Sequence, residues 1–98
     1  MTHASAAIGS RAMFVIYDTK AEAFGGFILL ERHPAAAVRT FTQLCFDKTT
    51  QVGNYPADFV LLQVGFIEDS GQILPIEPME IVSGSAIIAS HEAANAQS

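Results

Sequence analysis

The chain has 98 residues, of which 50% are hydrophobic and 15% charged, so it can bury a core as one domain and is not disordered as a whole. Five Lys and Arg against ten Asp and Glu give a formal charge of −5, which excludes long-range attraction to nucleic acid or to an anionic membrane. The hydrophobic share is high for so small a body, which predicts apolar surface left over for a subunit contact.

The two ends of the chain differ from its middle. Residues 1–11 and 89–98 are small and mostly polar and are predicted to be flexible, whereas residues 12–88 are predicted to form one domain. The N-terminus lacks the charged start and apolar block of a signal peptide, and no apolar run approaches the roughly 18 residues that a membrane helix needs. The sequence therefore predicts a cytoplasmic protein with no membrane partner.

The first segments predict a hairpin. Residues 12–17 are apolar, β-branched and aromatic, as expected of a central strand, and residues 27–31 form a second strand. Residues 18–26 interrupt the pattern and end in Gly25 and Gly26, which predicts a turn between the two strands.

A helix at residues 34–46 is the element around which the rest is organised. Pro34 suits a first helical position, and the alanines after it are strong helix formers. The only cysteine of the chain, Cys45, falls on the apolar face, which favours a core thiol in a reducing compartment over a nucleophile. That face consists of Ala37, Val38, Phe41, Leu44 and Cys45.

The following segments predict a loop and a second hairpin. Residues 47–58 are polar and form the loop, and residues 59–67 are the longest strand. Residues 68–71 make a turn with Gly71 in a left-handed position, and residues 72–75 return as a short strand. That strand is placed at an edge of the sheet, because Pro75 cannot donate to a ladder.

Residues 76–88 carry two further apolar pieces, which predict either an extra strand pair or an arm exchanged with another subunit. The predicted fold class is α+β: an antiparallel sheet of four to five strands covered on one face by a single helix, in the order β-β-α-β-β plus a C-terminal extension. Both faces of the strand at residues 59–67 are largely apolar, with Val60, Leu62, Val64 and Phe66 on one face and Phe59, Leu61, Gln63, Gly65 and Ile67 on the other.

The order of these sequence features resembles that in the small non-structural protein of gokushovirus-type microviruses, which are single-stranded-DNA phages. The resemblance covers about two thirds of the chain, from Phe14 to Pro78. It is carried by VIYDTKA at residues 15–21, Phe24, Phe27, AAVRTF at 36–41, Asp47, PADF at 56–59, Leu61, Gly65, GQI at 71–73 and Pro75.

The resemblance implies a non-virion protein made in the cytoplasm of the bacterial host during infection. It also implies a link to replication or synthesis of the single-stranded genome. It supplies no set of functional residues.

Catalysis is not expected from these residues. His3, His33 and His91 are dispersed and lack metal-ligand spacing, and no cofactor motif is present. Glu68 and Asp69 adjoin in a turn, where solvated carboxylates are favoured over an acid–base pair. The sequence therefore predicts a protein that is not an enzyme and holds no metal.

Single-stranded DNA is one predicted partner. Binding it needs cationic groups for phosphates and exposed aromatic rings on which bases stack. Packing in the core is the competing role for these aromatics, and an ion pair with Asp47 or Asp58 is the competing role for Arg39. The candidate residues are Arg11, Tyr17, Lys20, Phe24, Arg32, Arg39, Lys48 and Tyr55.

Self-association is expected with or without DNA, because one helix cannot cover both faces of the sheet. The alternative to DNA binding is an oligomeric interaction protein that engages a viral or host replication protein without touching DNA. A clustered positive patch would favour the first function, and a contiguous exposed apolar patch ringed by acidic residues would favour the second. The predicted oligomer interface consists of Phe59, Leu61, Ile67, Ile81 and Ile87.

Overall fold

The structure, a computed structural model, describes residues 10–96. One antiparallel sheet holds four strands in the spatial order β2-β1-β3-β4, and the α+β class with a four-stranded antiparallel sheet is confirmed. The strands are β1 (Ser10–Asp18), β2 (Ala23–Glu31), β3 (Phe59–Glu68) and β4 (Ile73–Ser83). The helices are α1 (Pro34–Cys45), α2 (Gln51–Asn54) and α3 (Gly84–Ala96), with a 3₁₀ helix at Pro56–Asp58.

The first hairpin is confirmed, but its turn is shorter than predicted. The Asp18 side chain accepts hydrogen bonds from the backbone N–H groups of Lys20 (3.0 Å) and Ala21 (3.1 Å), which closes the turn early. Gly25 and Gly26 therefore lie inside β2, where residues 25–27 bulge opposite Ile16. Of the predicted flexible N-terminus, Ser10 and Arg11 begin β1, and residues 1–9 lie outside the described residues.

Helix α1 lies on one face of the sheet, as its apolar stripe predicts. Its Ala37, Phe41 and Cys45 are buried, and Val38 and Leu44 pack partly buried against the same cluster. We call the sheet face beneath α1 the covered face. The core between them consists of Ala12, Phe14, Ile16, Ala37, Phe41, Cys45, Val52, Phe59 and Leu61.

A second long helix, α3, corrects two predictions. Residues 89–96 are helical rather than a flexible tail, and α1 is not the single covering helix, because Ile87 and Ile88 of α3 pack against the same core. The local cause is visible in the sequence: the Ser83 hydroxyl accepts a hydrogen bond from the Ala86 N–H at 3.0 Å, which caps the helix, and alanines follow it.

The predicted loop at residues 47–58 contains two short helices. The Thr50 hydroxyl accepts a hydrogen bond from the Gly53 N–H at 3.0 Å and so caps α2, and the 3₁₀ helix follows directly. This Thr cap is a local signal for a helix start that the loop prediction did not use.

Strand β4 is longer than predicted and takes up most of the expected extension. Residues 76–83 continue it along β3 of the same chain, so residues 76–88 form the end of one strand and the start of α3 rather than an extra strand pair. Its edge position is confirmed, and so is the left-handed position of Gly71, which has φ of 92° in the β3–β4 turn.

Candidate interaction surface

The face of the sheet opposite α1 carries no helix within residues 10–96, and we call it the open face. Residues directly opposite each other in an antiparallel pair share a face. Val15 is opposite both Ile28 and Leu62, and Tyr17 is opposite both Phe24 and Val60. On β1, β2 and β3 the open face consists of Met13, Val15, Tyr17, Phe24, Ile28, Leu30, Val60, Leu62 and Val64, and on β4 it includes Glu80, which is opposite Leu62.

The open face is apolar and accessible at its β2 side. The exposed fraction is 62% for Phe24, 57% for Ile28 and 44% for Leu30. Val64 joins Val15, Phe24 and Ile28 in lining one groove across the strands, so the apolar atoms are contiguous. A contiguous exposed apolar surface on a small protein marks a site of interaction.

One pair of aromatic rings stands at the end of the open face. The centroids of Tyr17 and Phe24 are 5.2 Å apart with an interplanar angle of 65°, an edge-to-face contact. The turn of residues 19–22 adjoins this pair and carries the exposed Lys20. Three of the predicted nucleic-acid residues are thus neighbours in the fold.

The other predicted basic residues are not gathered with Lys20. Arg11 begins β1 and Arg32 follows the end of β2, which places both at the far end of the hairpin. Arg39 is exposed on α1, on the helical side of the sheet. The structure therefore contains no single basic track built from the predicted set.

The helical side also holds Lys48 and Tyr55. The Lys48 ammonium donates to the Gly53 carbonyl at 3.0 Å, and Tyr55, which is 60% exposed, lines a groove beside α3. Neither predicted partner of Arg39 is bound to it: within residues 10–96 no ion pair joins Arg39 to Asp47 or Asp58. Hydrogen bonds from the Thr49 side chain and backbone hold the pKa of Asp47 below its ordinary value.

The predicted oligomer interface is corrected at two positions. Phe59 and Leu61 are 4% and 0% exposed in the core beneath the helices, so they cannot contact another subunit. Ile81 and Ile87 also pack partly buried against this core. Ile67 is opposite Arg11, on the same side of the sheet as the open face.

An irregularity in β3 explains why alternation alone misplaced Phe66 and Ile67. The β1–β3 register shifts between Met13 and Phe14, where Val64 is the extra residue. A bulge of one residue reverses the alternation beyond it. Phe66 therefore lies on the covered face opposite Ala12 and packs against the core, and Ile67 lies on the other side.

The groups considered for catalysis are separated. His33 precedes α1, and the ring of His91 in α3 packs on Phe46 with 4.6 Å between centroids. Cys45 is a buried free thiol, and burial raises its pKa to about 11, so it is protonated at neutral pH. His3 lies outside the described residues.

Residues 10–96 contain neither a candidate metal site nor a helix that could span a membrane. No group of three or more His, Cys, Asp or Glu side chains in this part of the chain could hold a metal ion. None of its helices is long and apolar enough to cross a membrane.

Comparison with known proteins gave one family. A family model described as Phage ORF5 protein matches residues 11–87, which include the start of α3 and all four strands except Ser10, the first residue of β1. Neither the curated proteins nor the solved structures gave a match.

Proposed function

This chain belongs to the Phage ORF5 protein family, and we propose that this phage protein is non-enzymatic and works as a homo-oligomer joined through its open face. The observation that carries the proposal is the contiguous apolar surface formed by β1, β2 and β3. Burying such a surface is the dominant favourable term in the association of proteins.

The size of the sheet suits a second copy of the chain. The three strands of the apolar surface, about 4.8 Å apart and each nine residues or longer at about 3.3 Å per residue, make a face of roughly 430 Å². Two such faces bury roughly 860 Å², the size of a weak and reversible contact between copies. Antiparallel sheets stack in this way about 10 Å apart.

Charge also permits two copies to meet here. Each chain carries a formal charge of −5, so copies repel one another at long range. The open-face residues of β1, β2 and β3 carry no charge, and Glu80 of β4, opposite Leu62, is a carboxylate beside this apolar surface. We expect salt to strengthen the association, because it screens the repulsion between the surrounding carboxylates.

The biological role follows from the resemblance to the non-structural protein of gokushovirus-type microviruses. We place the oligomer in the cytoplasm of the infected bacterium, where it assists synthesis of the single-stranded genome by engaging a viral or host replication protein. The dispersed basic residues support this protein-binding role over direct contact with DNA.

Replacing Leu62 by Lys tests the proposed interface. Leu62 is on the open face opposite Val15, and an ammonium group there would lose its hydration in the oligomer, a cost that Glu80 on the neighbouring strand offsets only in part. We expect the dissociation constant to rise by about 100-fold or more. Light scattering should show the mass falling to that of one 10.5 kDa chain, with the far-ultraviolet circular dichroism unchanged.

Gln43→Lys is the matched control, since it adds the same charge at an exposed position of α1. It should leave the oligomer intact. A wild-type protein that is monomeric at high concentration and high salt would overturn the proposal. An oligomer that Leu62→Lys leaves unchanged would overturn the open face as its interface.

Direct binding of single-stranded DNA is a second candidate, and one local observation favours it. Phe24 is 62% exposed and is braced by Tyr17, so its ring is available for a base to stack on. Lys20 in the adjoining turn supplies a cation for a phosphate. Stacking is worth about 1–3 kcal/mol per base, and a single cation adds a salt-sensitive contribution.

An anisotropy titration with labelled oligo-dT across a salt series tests this candidate. Phe24→Ala should weaken binding by about 5- to 150-fold, and Lys20→Ala should reduce the salt slope by roughly one phosphate contact. Arg39→Ala is the control, because Arg39 lies on the helical side, and it should change neither. A folded wild-type protein that does not bind at low salt would exclude this candidate.

A further inference from the structure

The two edges of the sheet are built differently. The β4 edge carries Pro75 and Pro78, which cannot donate hydrogen bonds, together with Glu77 and Glu80. These are the devices by which proteins prevent strands from adding to an edge. The β2 edge has nine residues, no proline and no lysine, and its single charge is the terminal Glu31.

We propose that the edge of β2 pairs antiparallel with β2 of a second copy, with Leu29 on the two-fold axis. This goes beyond the proposed function, since stacking of open faces leaves both edges unpaired. The contact joins two four-stranded sheets into one continuous sheet of twice the width. A two-fold axis perpendicular to that sheet keeps the open faces of both copies on one side.

The regular part of β2 sets the length of the pairing. Residues 25–27 form a bulge opposite Ile16, and this distortion interrupts the regular edge of β2. From Ile28 to Glu31 the strand is in regular register with residues 12–15 of β1. The outward backbone groups of this segment are therefore the ones in position to form a new ladder.

Side-chain pairing selects the register within that segment. With Leu29 on the axis, Ile28 of each copy is opposite Leu30 of the other copy. Glu31 of each copy is then opposite Phe27 of the other. With Leu30 on the axis, Ile28 is opposite Arg32 and Leu29 is opposite Glu31. Apolar cross-strand pairs stabilise a sheet, so the first register is favoured.

A second copy fits this edge because the edge is complementary to itself. Residues 23–30 carry no charge, so the favoured register brings no two carboxylates of these acidic chains together. It also places apolar side chains opposite one another on the open face, where Ile28 is 57% and Leu30 is 44% exposed. Edge pairing thereby extends the apolar surface already described.

A disulfide at the axis tests the proposal. Residues directly opposite each other in an antiparallel pair have Cα atoms about 4.5–5.5 Å apart, which a disulfide can span. We expect Leu29→Cys to give mainly a covalent dimer under mild oxidation, seen as a non-reducing gel band at twice 10.5 kDa. Native Cys45 can stay, since it is buried with only 1% of its surface exposed.

Leu74→Cys is the control, because Leu74 is an exposed residue of the proline-protected edge, and it should stay monomeric on the gel. The double variant with Leu29→Cys and Leu62→Lys should still form the covalent dimer. This result would separate edge pairing from face stacking. An oligomeric Leu29→Cys protein that forms no covalent dimer would overturn edge pairing and leave face stacking intact.

Hydrogen exchange on the wild-type chain covers the case in which Leu29→Cys does not fold. The outward amides of residues 28–31 should exchange slowly in the oligomer and rapidly after dilution to monomers. Equal exchange in both states would overturn the proposal. The proposal would also be overturned if the amides of residues 28–31 became protected only after a different protein was added.

Discussion

Phe41→Ala should cost about 3–5 kcal/mol of unfolding free energy, because it removes a ring that is 0% exposed at the centre of the core. A domain of this size has only about 5–15 kcal/mol in total. Phe41 belongs to the cluster that joins α1 to β1 and β3, so its loss leaves a cavity that neither layer can fill. We expect the thermal midpoint to fall by at least about 12 °C.

Phe46→Ala is the matched control, since Phe46 follows the same helix and is 41% exposed. It should cost less than about 1 kcal/mol, arising from the ring contact with His91. Urea unfolding should be measured at one protein concentration for all variants, because self-association adds to the apparent stability. Equal losses for the two variants would contradict the packing described for α1.

Gly84→Ala should also be strongly destabilising, although it adds only one methyl group. An added Cβ at this buried glycine would meet the carbonyl oxygen of Pro56. Because that oxygen belongs to the backbone, it cannot turn aside as the end of a side chain could. Helix α3 would have to move away from the 3₁₀ helix, which loosens Ile87 and Ile88 on the core. We expect a loss of about 2–3 kcal/mol, since such overpacking outweighs the helix propensity gained.

Gly26→Ala supplies the same chemical change where space is free, because nothing lies within 4 Å of an added Cβ there. It should change the unfolding free energy by no more than about 1 kcal/mol in either direction. Similar losses at Gly84 and Gly26 would mean that the close approach of α3 to Pro56 does not control stability. Loss of helical circular dichroism in Gly84→Ala alone would agree with release of α3.

The arrangement of the layers connects these stability predictions to function. Helices α1 and α3 contribute to one core on the covered face. Phe59 and Leu61 are buried in this core and are therefore absent from the surface. The apolar surface available for assembly is the open face. Core variants should therefore reduce stability first, whereas Leu62→Lys should reduce assembly with little effect on folding.

Several features of this protein could be predicted from the sequence because their causes are local. The β-branched run of residues 12–17 and the three- and four-residue spacing from Ala37 to Cys45 fix a strand and an amphipathic helix without reference to the rest of the chain. The positive φ of Gly71 and the edge position of Pro75 follow from the covalent structure of single residues.

Helix α3 shows where local signals were insufficient. Residues 84–96 lack a clear apolar stripe, and their small, polar composition resembles a flexible end. The Ser83 cap and the alanines permit a helix, but packing of Ile87 and Ile88 on the core, with Gly84 against Pro56, holds it in place. Most helical stability in proteins comes from such tertiary contacts.

The choice of faces was decided only by the tertiary structure. Strand β3 is apolar on both sides, so its sequence does not say which side the helices cover, and one bulged residue exchanges the faces of Phe66 and Ile67. The same holds for the predicted nucleic-acid residues, since Lys20, Arg32 and Arg39 are dispersed by strand direction and helix placement. Alternation along a strand specifies two faces, but contacts between distant segments determine which face meets the core and which meets a partner.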